Sequence, residues 1–322
     1  MQTETSDKPI TKRIPKLLFA IALLSALTIK VIAQTDSLYI VKDDQSAILS
    51  TFLYENFIQF TTVDPKQSKK EIDYLSNNPV SIGLGFNHPK IPFEISFGYN
   101  LSPKADEEYL RTRSLDVQLH QYGRMYVTDI SLQHYRGFYI DDSKLLSSEA
   151  NCPDLSIFEI GISGQYIFNG HKFSYKSAFG QNEYQVKSAG SFLLGGGIYF
   201  YNINSDSSFT FDSKNRIKSY QFGANTGYSY NWVVSKHILL NGSLTLGANL
   251  GNSNIGKLFN KDLYITPMAL VRSSCFYNYQ QWYLGISFVV NVATLAYTEN
   301  SGINLGYGRF YISLAKKFET QH

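Results

Sequence analysis

The sequence predicts an all-β protein, a transmembrane antiparallel up-and-down β-barrel of about twelve strands that follows a cleaved signal peptide. Three observations carry this expectation. The N-terminus is basic and then apolar, period-two alternation recurs through the rest of the chain, and the composition is aromatic, glycine-rich and charge-poor. The 322 residues include 24 Tyr, 22 Phe and 23 Gly, with 17% charged residues, against roughly 25% in an ordinary soluble domain.

Lys8, Lys12, Arg13 and Lys16 precede an apolar run from Leu17 to Leu27, and Val31-Ile32-Ala33 ends the segment. That is the order of an export signal, with cleavage expected between Ala33 and Gln34. Thr28 and Lys30 interrupt the run before it reaches the roughly 17 to 25 apolar residues of a spanning helix. The expected organisation is a signal peptide over 1–33 and one barrel domain over 34–322. No later stretch is long and apolar enough for a spanning helix, so a membrane role requires a closed barrel.

Alternation sends successive side chains to opposite faces of a sheet. Leu240, Leu244, Leu246, Ala248 and Leu250 alternate with Asn241, Ser243, Thr245, Gly247 and Asn249. Tyr220, Phe222, Tyr228, Tyr230 and Trp232 stand against Gln221, Gly223, Asn225, Ser229 and Asn231 in the same way. Shorter runs follow the pattern at Val80–Phe86, Phe93–Gly98, Leu115–His120, Asp129–Gln133 and Phe158–Ser163. Strands are expected near 48–60, 80–87, 91–99, 111–122, 125–138, 156–168, 189–203, 219–234, 237–252, 264–279, 282–297 and 303–318.

The links after the first, third, fifth, seventh and ninth strands are long and polar. Those after the second, fourth, eighth and tenth are tight, as in a barrel with short turns at one rim and long loops at the other. The sixth link, Asn169 to Ser188, breaks the rule. It opens with the hairpin pair Asn169-Gly170 and alternates Phe173, Tyr175 and Phe179 with Ser174, Lys176 and Ala178. A periplasmic or inward-folded hairpin is expected there, with an extra strand pair as the alternative.

A soluble sandwich or lipocalin-like barrel would alternate similarly, but its solvent face should be rich in Lys, Glu and Asp. The polar face here is Gly, Ser, Asn and Thr. Aromatic girdles are expected from Tyr122, Tyr126, Phe168, Trp232, Tyr279 and Trp282 at the turn ends, and from Tyr99, Tyr139, Tyr201, Tyr220, Tyr264 and Tyr297 at the loop ends.

By parity Glu94, Asp116, Asp129, Glu159, Arg309 and Lys317 point into the barrel, and Arg272 joins them from a less regular strand. Such a mixed-sign interior either selects solutes by charge or braces and plugs the lumen with ion pairs. Eight strands are filled by their own side chains and sixteen or more leave an aqueous channel, so twelve leaves both readings open.

A dispersed net charge of +3 gives no basis for nucleic-acid binding. Cys152 and Cys275 allow at most one bridge and no zinc motif, and the six His lack metal-ligand spacing. Gly195-Gly196-Gly197 lacks the Gly-Lys-Ser/Thr of a phosphate loop. No cofactor, metal site or enzymatic activity is expected. A lipid hydrolase would need Ser, His and an orienting Asn or Asp near the outer rim; His134 falls there, but without a GxSxG motif.

Several strings carry a resemblance: Tyr135-Arg136-Gly137-Phe138-Tyr139, Pro153-Asp154-Leu155, Tyr166-Ile167-Phe168-Asn169, Phe173-Ser174-Tyr175, Lys187-Ser188-Ala189-Gly190-Ser191 and Tyr230-Asn231-Trp232. Together they resemble an uncharacterised family of outer-membrane-type barrels from Bacteroidota, the domain of unknown function 4421. The resemblance covers most of the mature chain. It implies an exported protein of the bacterial outer membrane, with no activity, substrate or site residue to carry over. The expected function is a barrel set in outer-membrane lipid that passes or binds a small solute in its lumen. The alternatives are a structural or assembly barrel that docks partner proteins through its long loops and, last, an outer-membrane lipid hydrolase.

Overall fold

The computed structural model describes residues 35–42, 46–64, 71–88, 95–100, 110–141, 150–180, 183–211, 213–256, 263–296 and 302–319. The expected signal peptide, Glu94 and Tyr297 lie outside the described residues. Twelve strands form where alternation places them: β2 (Ser46–Val63), β4 (Ser81–Asn87), β5 (Ile95–Asn100), β6 (Arg113–Tyr122), β7 (Tyr126–Ile140), β8 (Asn151–Ile167), β10 (Ala189–Asn204), β11 (Arg216–Val233), β12 (Ile238–Asn252), β13 (Tyr264–Tyr279), β14 (Trp282–Ala296) and β15 (Gly302–Glu319). Three short strands are additional: β1 (Ile40–Lys42), β3 (Glu71–Leu75) and β9 (Glu183–Gln185).

The sheet closes on itself because β15 pairs along its length with β2, from Ile303 opposite Thr62 to Glu319 opposite Ser46. The closed ring runs β2, β3, β7, β8, β10, β11, β12, β13, β14, β15, every pairing antiparallel, and so has ten members rather than twelve. The difference comes from β3, which arises inside the segment 61–79 expected to be a loop. It pairs with Gln59–Val63 of β2 on one edge, and its Tyr74 and Leu75 pair with Ile140 and Tyr139 of β7 on the other. Towards the turn end β4 takes its place beside β2, β5 pairs with β4, and β6 lies against β7.

One bulge matters for what faces inward. Between Arg136 and Phe138 the register of β7 against β8 shifts. Gly137 sits there at φ 87°, in the left-handed region that glycine enters without penalty, and its carbonyl accepts the Thr112 hydroxyl at 2.6 Å. The extra residue reverses parity. Asp129, Ser131, Gln133 and Tyr135 face the interior below the bulge, and Phe138 faces it above.

The interior is packed rather than uniformly polar. In the loop-end half Ile58, Phe60, Phe138, Ile157, Ile303 and Leu305 form an apolar core with Tyr135, Tyr201 and Tyr307. At the turn end the sixth link folds inward. Its π-helical turn, Lys176–Gly180, and β9, which pairs with β1, fill the mouth. Phe173 and Tyr175 are buried there against Val127, Ile167, Ala189 and Leu193. A ring this narrow has room for side chains and little else, as in eight-stranded barrels.

Two girdle expectations are corrected by this packing. Tyr201 is buried in the loop-end core, and Tyr122 turns inward to stack with Phe179 and Tyr175. Phe168, Trp232, Tyr279 and Trp282 do stand exposed at the turn end; Tyr99, expected at the loop end, is exposed on β5. Replacing Gly137 by Val forces a β-branched residue to positive φ, where a Cβ also meets Leu110 at 3.3 Å. That costs about 1–2 kcal/mol. Urea unfolding in lipid vesicles should show the loss, together with a fall in the temperature at which the folded band shifts in detergent gels.

Candidate functional site

Between the two apolar fillings lies a polar belt built by strand register. Asp116 on β6 stands opposite Gln133 on β7, Gln133 opposite Glu159 on β8, and Glu159 opposite Tyr201 on β10. The Asp116 carboxylate accepts the Tyr135 hydroxyl at 2.6 Å and the Gln133 amide at 3.1 Å, and faces the Arg309 guanidinium at 3.6 Å. Arg309 donates to Asn56 Oδ1 and lies over the Tyr54 ring.

Arg272 on β13 pairs with Asp129 on β7. Four strands, β8, β10, β11 and β12, lie between β7 and β13 along the sheet, so this ion pair crosses the interior rather than linking neighbours. His120 Nδ1 sits 2.7 Å from the other Asp129 oxygen. A second brace crosses nearby: Glu159 Oε1 accepts the hydroxyls of Ser131 and Tyr307, each at 3.1 Å, and Tyr307 belongs to β15. Lower down, the Gln165 amide on β8 reaches Asn225 on β11 and Thr245 on β12. Two charged atoms in the belt, Glu159 Oε2 and Arg272 Nη1, are buried without a hydrogen-bond partner.

The sequence pattern of the domain of unknown function DUF4421 matches residues 34–318. The chain belongs to that family. A search of curated proteins finds no match. Among solved structures, the chain is similar to OmpT, an outer membrane protein of Vibrio cholerae, at 7% identity, with 83% of this chain and 97% of that one covered and a TM-score of 0.29. The translocator domain of the autotransporter NalP from Neisseria meningitidis gives 9% identity, 94% and 99% coverage and a TM-score of 0.30. The toluene transporter TodX of P. putida gives 6% identity, 88% and 91% coverage and a TM-score of 0.22. Likeness at this level carries no argument about activity, and the closed barrel rests on the pairing of the chain's own strands.

Of the inward charges expected from parity, Asp116, Asp129, Glu159, Arg272 and Arg309 meet in the belt of this DUF4421 chain. Lys317 faces inward at the turn end instead, where its ammonium donates to Tyr184 Oη at 2.8 Å and so grips the inward-folded link. That link is held further by an ion pair between Arg124 and Glu183, and by Tyr184 against Tyr283. Asn231 adds hydrogen bonds to Ser174 O and Gln185 Oε1. Parity also pointed Gln133, Tyr135 and Tyr307 inward, but a search for charges alone passes over them.

The brace is testable because removing one partner of a buried ion pair strands the other. Asp129→Ala or Arg272→Ala should each lower stability by about 3–5 kcal/mol, whereas the double replacement Asp129→Leu with Arg272→Met should restore most of it. Equilibrium unfolding of the three proteins in lipid vesicles measures both effects.

Proposed function

We propose that this chain is a bacterial outer-membrane barrel, exported by its N-terminal leader, whose lumen is sealed and whose work is done at its surfaces, with the long loops docking partner proteins. The carrying observation is the Arg272–Asp129 pair across the barrel's interior, with apolar packing above it and the folded-in sixth link below. The membrane setting is supported by the outward face. Leu84, Phe192, Ile198 and Ile265 are among many large apolar side chains exposed around the ring, far beyond the patches a soluble monomer tolerates. Strands of 15 to 18 residues, such as β7 and β11, exceed the roughly 9–11 residues needed to cross a bilayer. The resemblance to barrels of Bacteroidota supports the same placement.

Planar-bilayer recording tests the seal. The purified protein should insert without producing steady ion conductance at any holding voltage, and stepwise porin-like currents would contradict it. Photo-crosslinkers at Asp141 and Asp206, both at the loop end, should capture a discrete partner in native membranes. A blank result there would count against docking.

A second reading is favoured by Glu159 Oε2 and Arg272 Nη1, an acceptor and a donor in one enclosed belt without partners. A small solute offering both a donor and an acceptor would satisfy the two atoms at once. Such a solute should raise the unfolding temperature of the wild-type protein and leave that of Glu159→Gln unchanged.

A further inference from the structure

The loop-end part of the outward face carries an ordered set of cations. Across β6, β7, β8, β10 and β11 one register row reads Arg113, Arg136, Ser156, Asn204, Arg216. In the row beneath, His134 and Lys218 lie on β7 and β11 with Asn202 between them on β10. Two rows further down the same face is apolar, with Ile162, Ile198 and Phe222 exposed side by side. Arg113, Arg136 and Arg216 are themselves exposed.

Strand spacing sets the scale of the patch. Arg113 and Arg136 are direct cross-strand neighbours about 5 Å apart, Arg216 lies about 14 Å away, and successive rows on one face are separated by about 7 Å. Two like charges directly opposite on a sheet repel each other, and an anion between them converts that cost into attraction. No acid pairs with these cations among the described residues. The nearby Asp154 carboxylate is already taken by the Ser205 hydroxyl at 2.6 Å and the Asp206 amide at 2.5 Å. Arg136 Nε donates to Pro153 O and Arg216 Nε to Asn202 Oδ1, which orients both guanidinium groups.

We propose that this patch binds the phosphorylated headgroup of an acylated glycolipid in the outward leaflet, its acyl chains lying along Ile162, Ile198 and Phe222. The inference rests on the membrane reading above. Guanidinium forks match phosphate oxygens bidentately, and the vertical order of cations over apolar side chains is the order of headgroup over chain in such a lipid. The patch lies at the long-loop end, the outward rim of a barrel with short periplasmic turns.

Native mass spectrometry of delipidated protein tests it with three probes: bis-phosphorylated lipid A, the same lipid dephosphorylated, and inorganic phosphate. The wild-type protein should bind the phosphorylated lipid about a hundredfold more tightly than the triple variant Arg113→Gln, Arg136→Gln, Arg216→Gln, and about fivefold more tightly than Arg216→Gln alone. Lys236→Gln, in a turn at the opposite end, should bind as wild type does. Equal binding by the triple variant, by the dephosphorylated lipid or by inorganic phosphate overturns the site. Fractionation and heat-modifiable mobility of the same proteins separate the two levels. A wild-type chain absent from the outer membrane overturns the membrane reading, whereas inserted, folded variants with undiminished lipid binding overturn the site alone.

Discussion

The ion pair between Arg272 and Asp129 is the contact on which the interior is arranged. It joins β13 to β7 across the interior, with Arg272 buried and Asp129 partly buried beside it. A lone charge in that position would be very unfavourable, so the two walls must stay within reach of each other. Tyr307 on Glu159 and Arg309 near Asp116 repeat the same cross-lumen logic at neighbouring levels. Apolar side chains can then fill the loop-end half because the braces hold the ring at a width that side chains alone can span.

The turn end uses a different device. The link from Asn169 to Ser188 is too long for a tight turn and too apolar in Phe173, Tyr175 and Phe179 to lie in water, so it packs into the mouth. Its polar atoms are satisfied by the wall: Tyr175 reaches Ser243, Ser174 and Gln185 meet Asn231, and Glu183 meets Arg124. Strand β1 adds an edge to β9, and Val186 donates to Tyr39 O, so the segment just after residue 34 is part of the same closure. The outward face is free to meet its surroundings, with cations at one level and apolar side chains at the next.

Twelve strand positions were legible because period-two alternation is a local property: β2, β4 to β8 and β10 to β15 carry it within their own residues. The inward orientation of Asp116, Asp129, Glu159, Arg272 and Arg309 followed from the same parity. Closure was expected, but the ten-strand make-up of the ring was not legible, because the pairing of β3 with both β2 and β7 depends on contacts between Tyr74 and Ile140, far apart in sequence. The bulge at Gly137 was hidden for a related reason, since Tyr135 and Phe138 both point inward only after an extra residue that the alternation pattern does not mark. Tyr122 and Tyr201 misled as girdle residues because aromatic side chains fill a narrow lumen as readily as they sit at an interface. Asn169-Gly170 and the alternation after it did signal an unusual link, and its inward fold was one of the outcomes expected.

The most direct test of a sealed barrel is amide hydrogen exchange of the folded protein in lipid nanodiscs, followed over residues 169–188. A lumen closed by this segment predicts slow exchange at Phe173, Ser174 and Val186, whose amides donate to Asn169 O, Gln185 Oε1 and Tyr39 O, with protection approaching that of the barrel strands. Exchange of those amides within seconds, at the rate of a free surface loop, would contradict it.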